Sequence, residues 1–214
     1  MMKTLLIVIY TFVYHGPPPN TIKINNLYID KTEILNIHWM EFLYHVEKDS
    51  IGKEVSKFYP AEENTIYNKP EHRYKPIVLI TYEQAQAYCA WRSEVVSKKL
   101  GRRITYRLPT EKEWLEIAQA IEDKNSKKVD AEIKKTNHMN KEKKGTDLLL
   151  DIKENKSSTF HFFSNVSEMV AEKGKAMGLN NENLLHSNLN HFKVFSYEKP
   201  NQLVGFRCLA EFRQ

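Results

Sequence analysis

The stretch Arg107-Leu108-Pro109-Thr110-Glu111-Lys112-Glu113-Trp114 joins an extended segment to a helix start with a full set of local signals. Pro109 cannot sit inside a helix, and it biases the residue before it toward extended geometry. Thr110 is placed to accept from the backbone N–H of Glu113 while the Glu113 carboxylate reaches back to the N–H of Thr110. This capping box satisfies two donors that the helix itself leaves open. Trp114, Ile117, Ala118 and Ile121 follow at helical spacing. The pattern predicts an amphipathic helix that buries Trp114, with Glu113 capping its own helix.

Working outward, Thr81 and Gln84 form a second capping box, opening a helix that turns Ala85, Tyr88, Cys89, Val96 and Leu100 inward and stops at Gly101. The run Pro76-Ile77-Val78-Leu79-Ile80 before it reads as a buried strand, and residues 50–76 read as irregular surface chain. Nearer the start, Gly16-Pro17-Pro18-Pro19-Asn20 excludes helix. Ile22, Ile24 and Leu27-Tyr28-Ile29 flank Asn25-Asn26 as a short hairpin, and Asn36 is the N-cap of a helix burying Trp39, Leu43 and Val46. Helices with short strands, and no regular strand–helix alternation, give an α+β class rather than a doubly wound sheet.

A chain of 214 residues, 41% apolar and 28% charged, fits one globular domain. The net charge of +5 comes largely from Lys124–Lys156, inside a lysine-rich insertion at about 122–159. No aromatic residues are interleaved with the lysines of Lys124–Lys156 to stack on bases, so it reads as a solvated insertion and not a nucleic-acid surface. Met1–Tyr14 is an apolar run too short to span a bilayer. It fits the core of an export signal over residues 1–15, with 16–214 as the mature domain and no transmembrane helix in it; the alternative is a buried first strand. Cys89 and Cys208 have no metal-ligand spacing around them and are either buried thiols or one disulfide. A bond would close a long loop, for which chain entropy gives roughly 4–5 kcal/mol, and would need an oxidising compartment.

As a string, Arg107–Trp114 resembles the RLPTE-type signature of the formylglycine-generating-enzyme (sulfatase-modifying factor) family. Further motifs follow in the family's order: Tyr28–Asn36 with Trp39 and Phe42, then Ile77–Trp91, then Phe163–Val170 containing Asn165-Val166-Ser167-Glu168-Met169. Glu172–Gly178 and Gly205-Phe206-Arg207-Cys208 complete the set, so the resemblance runs from about Tyr28 to Cys208. It implies a C-type-lectin-like α+β fold with two main helices, short strands and much irregular chain. Arg107, Pro109, Thr110, Glu113, Trp114, Asn165, Gly205, Phe206 and Arg207 become structural motif residues, with Phe206 in the core. Tyr28–Glu33 and the Asn165–Met169 string are closest in flavour to gliding-motility and type IX secretion lipoproteins.

Active members of that family hold copper on two cysteines between the segments matching Gly178 and Gly205. This chain has no cysteine there, and thiolate is the ligand that Cu(I) prefers. His186 and His191 lie in the interval and read as surface residues. Cys89 and Cys208 match positions that pair structurally in family members, which implies a disulfide and leaves no free thiol. The resemblance also implies calcium at Ser164, Val166 and Glu168, with Glu168 as a local hydrogen-bond partner the alternative. The expectation is therefore a non-catalytic domain, a structural or interaction protein binding other proteins in the periplasm or cell envelope. The alternatives are a divergent metal-dependent oxidase and a calcium-dependent lectin-like ligand binder.

Overall fold

The structure is a computed structural model that describes residues 16–49, 55–140, 149–150, 161–180 and 192–213. Among the described residues, two four-stranded sheets and three α-helices form an α+β architecture. In the first sheet, β1 (Thr21–Ile24) and β2 (Leu27–Asp30) make the expected hairpin. Ile24 pairs with Leu27, so Asn25-Asn26 is a two-residue loop, and Asn25 takes the positive φ of 54° that such a turn favours. The strand near the end of the chain, β8 (Leu209–Phe212), inserts between β2 and β3 (Ile104–Arg107), pairing Ile29 with Leu209 and Arg107 with Leu209.

The second sheet runs β6 (Val194–Ser196), β5 (Lys175–Met177), β4 (Ser167–Met169), β7 (Val204–Gly205), with β7 parallel to β4. Helix α1 spans Asn36–Asp49, α2 Tyr82–Leu100 and α3 Glu111–Asn140, so a shorter third helix joins the two main ones. Both halves of the Thr81–Gln84 capping box are present, and Gly101 ends α2 at φ 63°. Among the described residues, no helix is long and apolar enough to cross a membrane.

Aromatic packing joins α1, α2 and the segment leading into β8: Trp39 stacks on Tyr88 at 5.7 Å, and Phe206 meets Tyr88 edge-on at 5.5 Å. A second core lies under α3, where Trp114 stacks on Phe162 at 4.8 Å beside Ile29, Met177 and Leu209. Trp114 and Phe206 are both fully buried, as expected. The outer edge of β3 is covered by α2. Ser93 Oγ accepts from the Tyr106 N–H at 2.7 Å and Ser97 Oγ from the Ile104 N–H at 2.9 Å, closing an edge that otherwise invites strand pairing.

Three expectations are corrected. Residues 76–80 are buried but form no strand: Leu79 has φ 58°, which breaks the extension, and the Ile77 and Leu79 N–H groups donate to Ile34 and Asn201 carbonyls. The described part of 50–76 is not all surface chain. Ile66 and Asn64 are buried, and the Asn64 amide donates to the Val78 carbonyl at 2.8 Å, satisfying part of that buried run. Residues 122–140 continue α3, because 111–140 contains no Gly or Pro, and Val129 is buried in the second core. Met1–Tyr14, Leu148, Asp151–Thr159, His186 and His191 lie outside the described residues.

Candidate functional site

The motifs distant in sequence converge on Arg207, whose guanidinium is fully buried. Gly205 precedes it at the end of β7, where a Cβ would lie 2.9 Å from Val166 Cγ2 and 3.0 Å from the Ile77 carbonyl oxygen, so the close approach needs glycine. Arg207 Nε donates to Glu168 Oε1 at 2.6 Å and Nη1 to the Asp30 carbonyl at 3.0 Å. The other Glu168 oxygen accepts from the Trp114 indole N–H at 2.9 Å. Across the cluster, Glu33 Oε1 accepts from the Asn165 amide at 3.0 Å, while Leu150 N–H donates to Asn165 Oδ1 at 2.9 Å. Asn165 holds this position with φ 72°, a conformation asparagine tolerates better than most residues.

Two buried carboxylates therefore face one buried guanidinium, and the sharing is unequal. Glu33 Oε2 lies 3.9 Å from Arg207 Nη2, too far for a hydrogen bond, and accepts none. Burial pushes the Glu33 carboxyl up to about 7, against the pull of Arg207. Burial raises Glu168 as well. For Arg207, burial alone would act downward, and Glu168 with Glu33 holds the group raised. The cluster is a sealed clamp joining the segments around Asp30, Trp114, Asn165 and Arg207; it holds charge and a proton but exposes no nucleophile.

That geometry bears on calcium. Ser164, Val166 and Glu168 are all buried, and both Glu168 oxygens are engaged by Arg207 and Trp114. A divalent ion there would have to compete with a guanidinium cation for its only carboxylate, so these three residues do not fit a calcium site. Among the described residues, no three His, Cys, Asp or Glu side chains are grouped to hold a metal.

The Arg107–Trp114 stretch behaves as its capping box dictates. Thr110 N–H donates to Glu113 Oε2 at 2.8 Å, and Glu113 N–H donates to Thr110 Oγ1 at 3.2 Å. Arg107 adds a fork to both Glu113 oxygens at 2.7 Å each and also pairs with Glu211. This hydrogen-bonded cation holds the Glu113 carboxyl down at about 2. The Pro109 carbonyl accepts from the Ala171 N–H at 2.8 Å, tying the stretch to the second sheet.

The two cysteines, 119 residues apart, meet in the interior. Their Sγ atoms lie 3.2 Å apart as buried thiols, beyond the ~2.05 Å of a bond. Asp30 organises their surroundings: it accepts from the Cys208 N–H at 2.9 Å and from both Arg92 terminal nitrogens at 2.7 and 2.8 Å. Arg92 lies over the Tyr106 ring at 4.0 Å. Burial pushes the Cys208 thiol well up. A groove of about 520 Å³ opens between α2 and β3, lined on the helix side by Gln86, Cys89 and Ala90 and on the other by Tyr106, Arg107 and Arg213. The Asp30–Arg92 pair was not picked out in the sequence, because its members are 62 residues apart and each sits in a string read for its apolar neighbours.

The sequence matches the model of the sulfatase-modifying factor enzyme 1-like domain over residues 9–212. Comparison with curated proteins returns no match. Among solved structures, PvdO from Pseudomonas aeruginosa is similar with a TM-score of 0.41 and 15% identity, over 86% of this chain and 80% of that one.

Proposed function

The chain belongs to the sulfatase-modifying factor enzyme 1-like family, and on that premise we propose that it is a non-catalytic member acting as a structural or interaction protein in the cell envelope. The observation that carries this reading is the donor set. The interval Gly178–Gly205 contains no cysteine, and the only two cysteines in the chain face each other in the interior. Copper(I) needs thiolate or similarly soft ligands, so these residues do not fit the metal and no oxidation step is routed through it.

The interaction half of the reading is supported by α1. Ile37, Met40 and Tyr44 recur at three- and four-residue spacing on one helix face and are 39%, 40% and 62% exposed. The envelope assignment rests on the apolar run Met1–Tyr14, and the flavour of the Tyr28–Glu33 and Asn165–Met169 strings points to gliding-motility and type IX secretion relatives.

The test is direct. Purified protein with Cu(I), oxygen and a sulfatase-type cysteine peptide is expected to leave the peptide unchanged, and aldehyde formed above a no-protein control would refute the non-catalytic reading. For the interaction role, Tyr44→Glu is expected to reduce recovery of specific envelope proteins that the unaltered domain captures. Equal recovery by both would remove α1 from the reading.

A further inference from the structure

We propose that helix α1 is a self-association face, through which two copies of the chain pair antiparallel about a two-fold axis at Tyr44. This rests on the reading of α1 as an interaction face, and it names the partner as a second copy of the chain. Among the described residues, the exposed large apolar side chains are Ile37, Met40, Tyr44, Tyr59 and Tyr74, and all five lie on α1 or against it. The Tyr59 hydroxyl donates to Glu47 Oε1 at 2.7 Å, and the Arg73 carbonyl accepts from the Ile37 N–H at 3.0 Å, which sets Tyr74 beside the first turn of the helix. Apolar residues scattered singly over a surface need no explanation, whereas five gathered around one helix mark a contact face.

The area suits a specific interface. At 39% to 62% exposed, and with ~200 Å² for a whole large side chain, the five present roughly 400 Å². One partner of a standard interface contributes about 800 Å², a little over half of it apolar. The patch therefore supplies the apolar share that one copy must bring.

Charge selects a second copy and sets its orientation. At about 3.6 residues per turn, Ile37, Met40, Glu41 and Lys48 all fall within roughly 60° of the Tyr44 direction, with Glu41 and Lys48 on the same flank of the stripe. Both are exposed, and neither has an ion pair of its own among the described residues. Glu41 precedes Tyr44 by about 4.5 Å along the axis, and Lys48 follows it by about 6 Å. A two-fold axis lying in the interface and perpendicular to the helix reverses the order of residues on the second helix but keeps the flank. Glu41 of each copy then meets Lys48 of the other, so the contact carries two opposite-charge pairs and is complementary to itself. On the opposite flank, Met40 of each copy meets the Glu47–Tyr59 pair of the other. A parallel pair sets Glu41 against Glu41 and Lys48 against Lys48, and aligns the two helix dipoles.

Sedimentation equilibrium of the purified protein up to about 100 µM is the test, a range suited to an interface of this size. Wild type should show a reversible dimer, and Tyr44→Glu should weaken it at least tenfold with the melting transition kept. Glu41→Lys and Lys48→Glu should each weaken self-association at least threefold, and an equimolar mixture of the two should recover the wild-type dimer, because each variant then meets its opposite charges. Oxidised Tyr44→Cys protein, altered at the axis itself, should form a covalent dimer. A monomer at every concentration overturns the proposal, as does a dimer that Tyr44→Glu leaves intact, or a mixture that associates no better than its two components. Capture of envelope proteins separates the two readings: a monomeric wild type whose Tyr44→Glu variant loses captured proteins removes the second copy and keeps the interaction reading. A dimer lost in Tyr44→Glu, with capture unchanged, supports the second copy and removes α1 from the capture.

Discussion

Replacing Glu33 by glutamine removes one of the two carboxylates that share Arg207, and the consequence is a change in how stability depends on pH. Glu33 is raised from 4.5 to about 7 by burial, so between those values the native state keeps a proton that the unfolded chain has released. Stability conferred by that proton is complete below about 4.5 and is lost as pH rises through 7. A shift of this size corresponds to about 3 kcal/mol. His38 works in the opposite direction. Burial lowers it from 6.5 to about 4, so the unfolded chain holds the extra proton between those values and stability rises with pH. Glu168, also raised by burial, adds to the Glu33 slope. In wild type these slopes oppose each other across roughly pH 4.5 to 6.5, and urea-unfolding free energies should be nearly flat there or fall slightly. In Glu33→Gln the amide oxygen can still accept from Asn165, the Glu33 part of the falling slope is gone, and stability should rise with pH relative to wild type. The difference between variant and wild type should start near zero at the acid end and grow by about 3 kcal/mol toward pH 7.5. Two parallel pH profiles, offset by a constant, would refute the claim that Glu33 holds a proton in the native core.

Arg207→Met leaves Glu168 and Glu33 buried without their cation and should destabilise the protein by about 3–5 kcal/mol, read from urea midpoints. A cost under about 1 kcal/mol would mean that the cluster is solvated. Glu113→Ala removes the reciprocal half of the capping box and should cost about 1 kcal/mol, since the half-exposed pair with Arg107 adds little. Because Glu113 is held at about 2, its contribution is present above pH 4.5 and fades as pH falls toward 2, so the wild-type and alanine curves should converge in acid. Millimolar calcium should leave the melting temperature of wild type unchanged, and a rise that disappears on adding a chelator would show that the ion finds ligands other than the Glu168 carboxylate.

The parts of this fold that were legible from sequence are those fixed locally. The two capping boxes, the Gly101 stop and the Asn25-Asn26 hairpin each depend on residues within four positions of one another, and each appears where its residues put it. Burial of Ile77 and Ile80 was also legible from their apolar run, but secondary structure was not, because the positive φ at Leu79 is imposed by distant partners such as the Asn201 carbonyl. The same limit applies to the candidate sites. Glu168, Asn165 and Arg207 were marked by their motifs, whereas Glu33 and Asp30 stood inside a marked string with no sign that one would share Arg207 and the other would bind Arg92. Charge partners 60 to 180 residues apart leave no periodic trace in a single sequence.

The position of β8 in the middle of its sheet sets a condition on biogenesis. The hairpin of β1 and β2 is made well before β8, yet the neighbour of Ile29 is Leu209, and among the described residues no other strand pairs with that side of β2. Until the chain has been synthesised through about residue 212, the hairpin and β3 have no bridge between them, and the Arg207 clamp and the Cys89–Cys208 contact cannot exist. Folding of the domain therefore cannot finish before β8 has been made, and contacts of such long sequence separation make it slow. A domain whose first sheet stays unjoined until β8 has been made remains available to holding chaperones and to threading through a translocation pore, and trimming a few residues from β8 would separate the hairpin from β3 and not merely fray an edge.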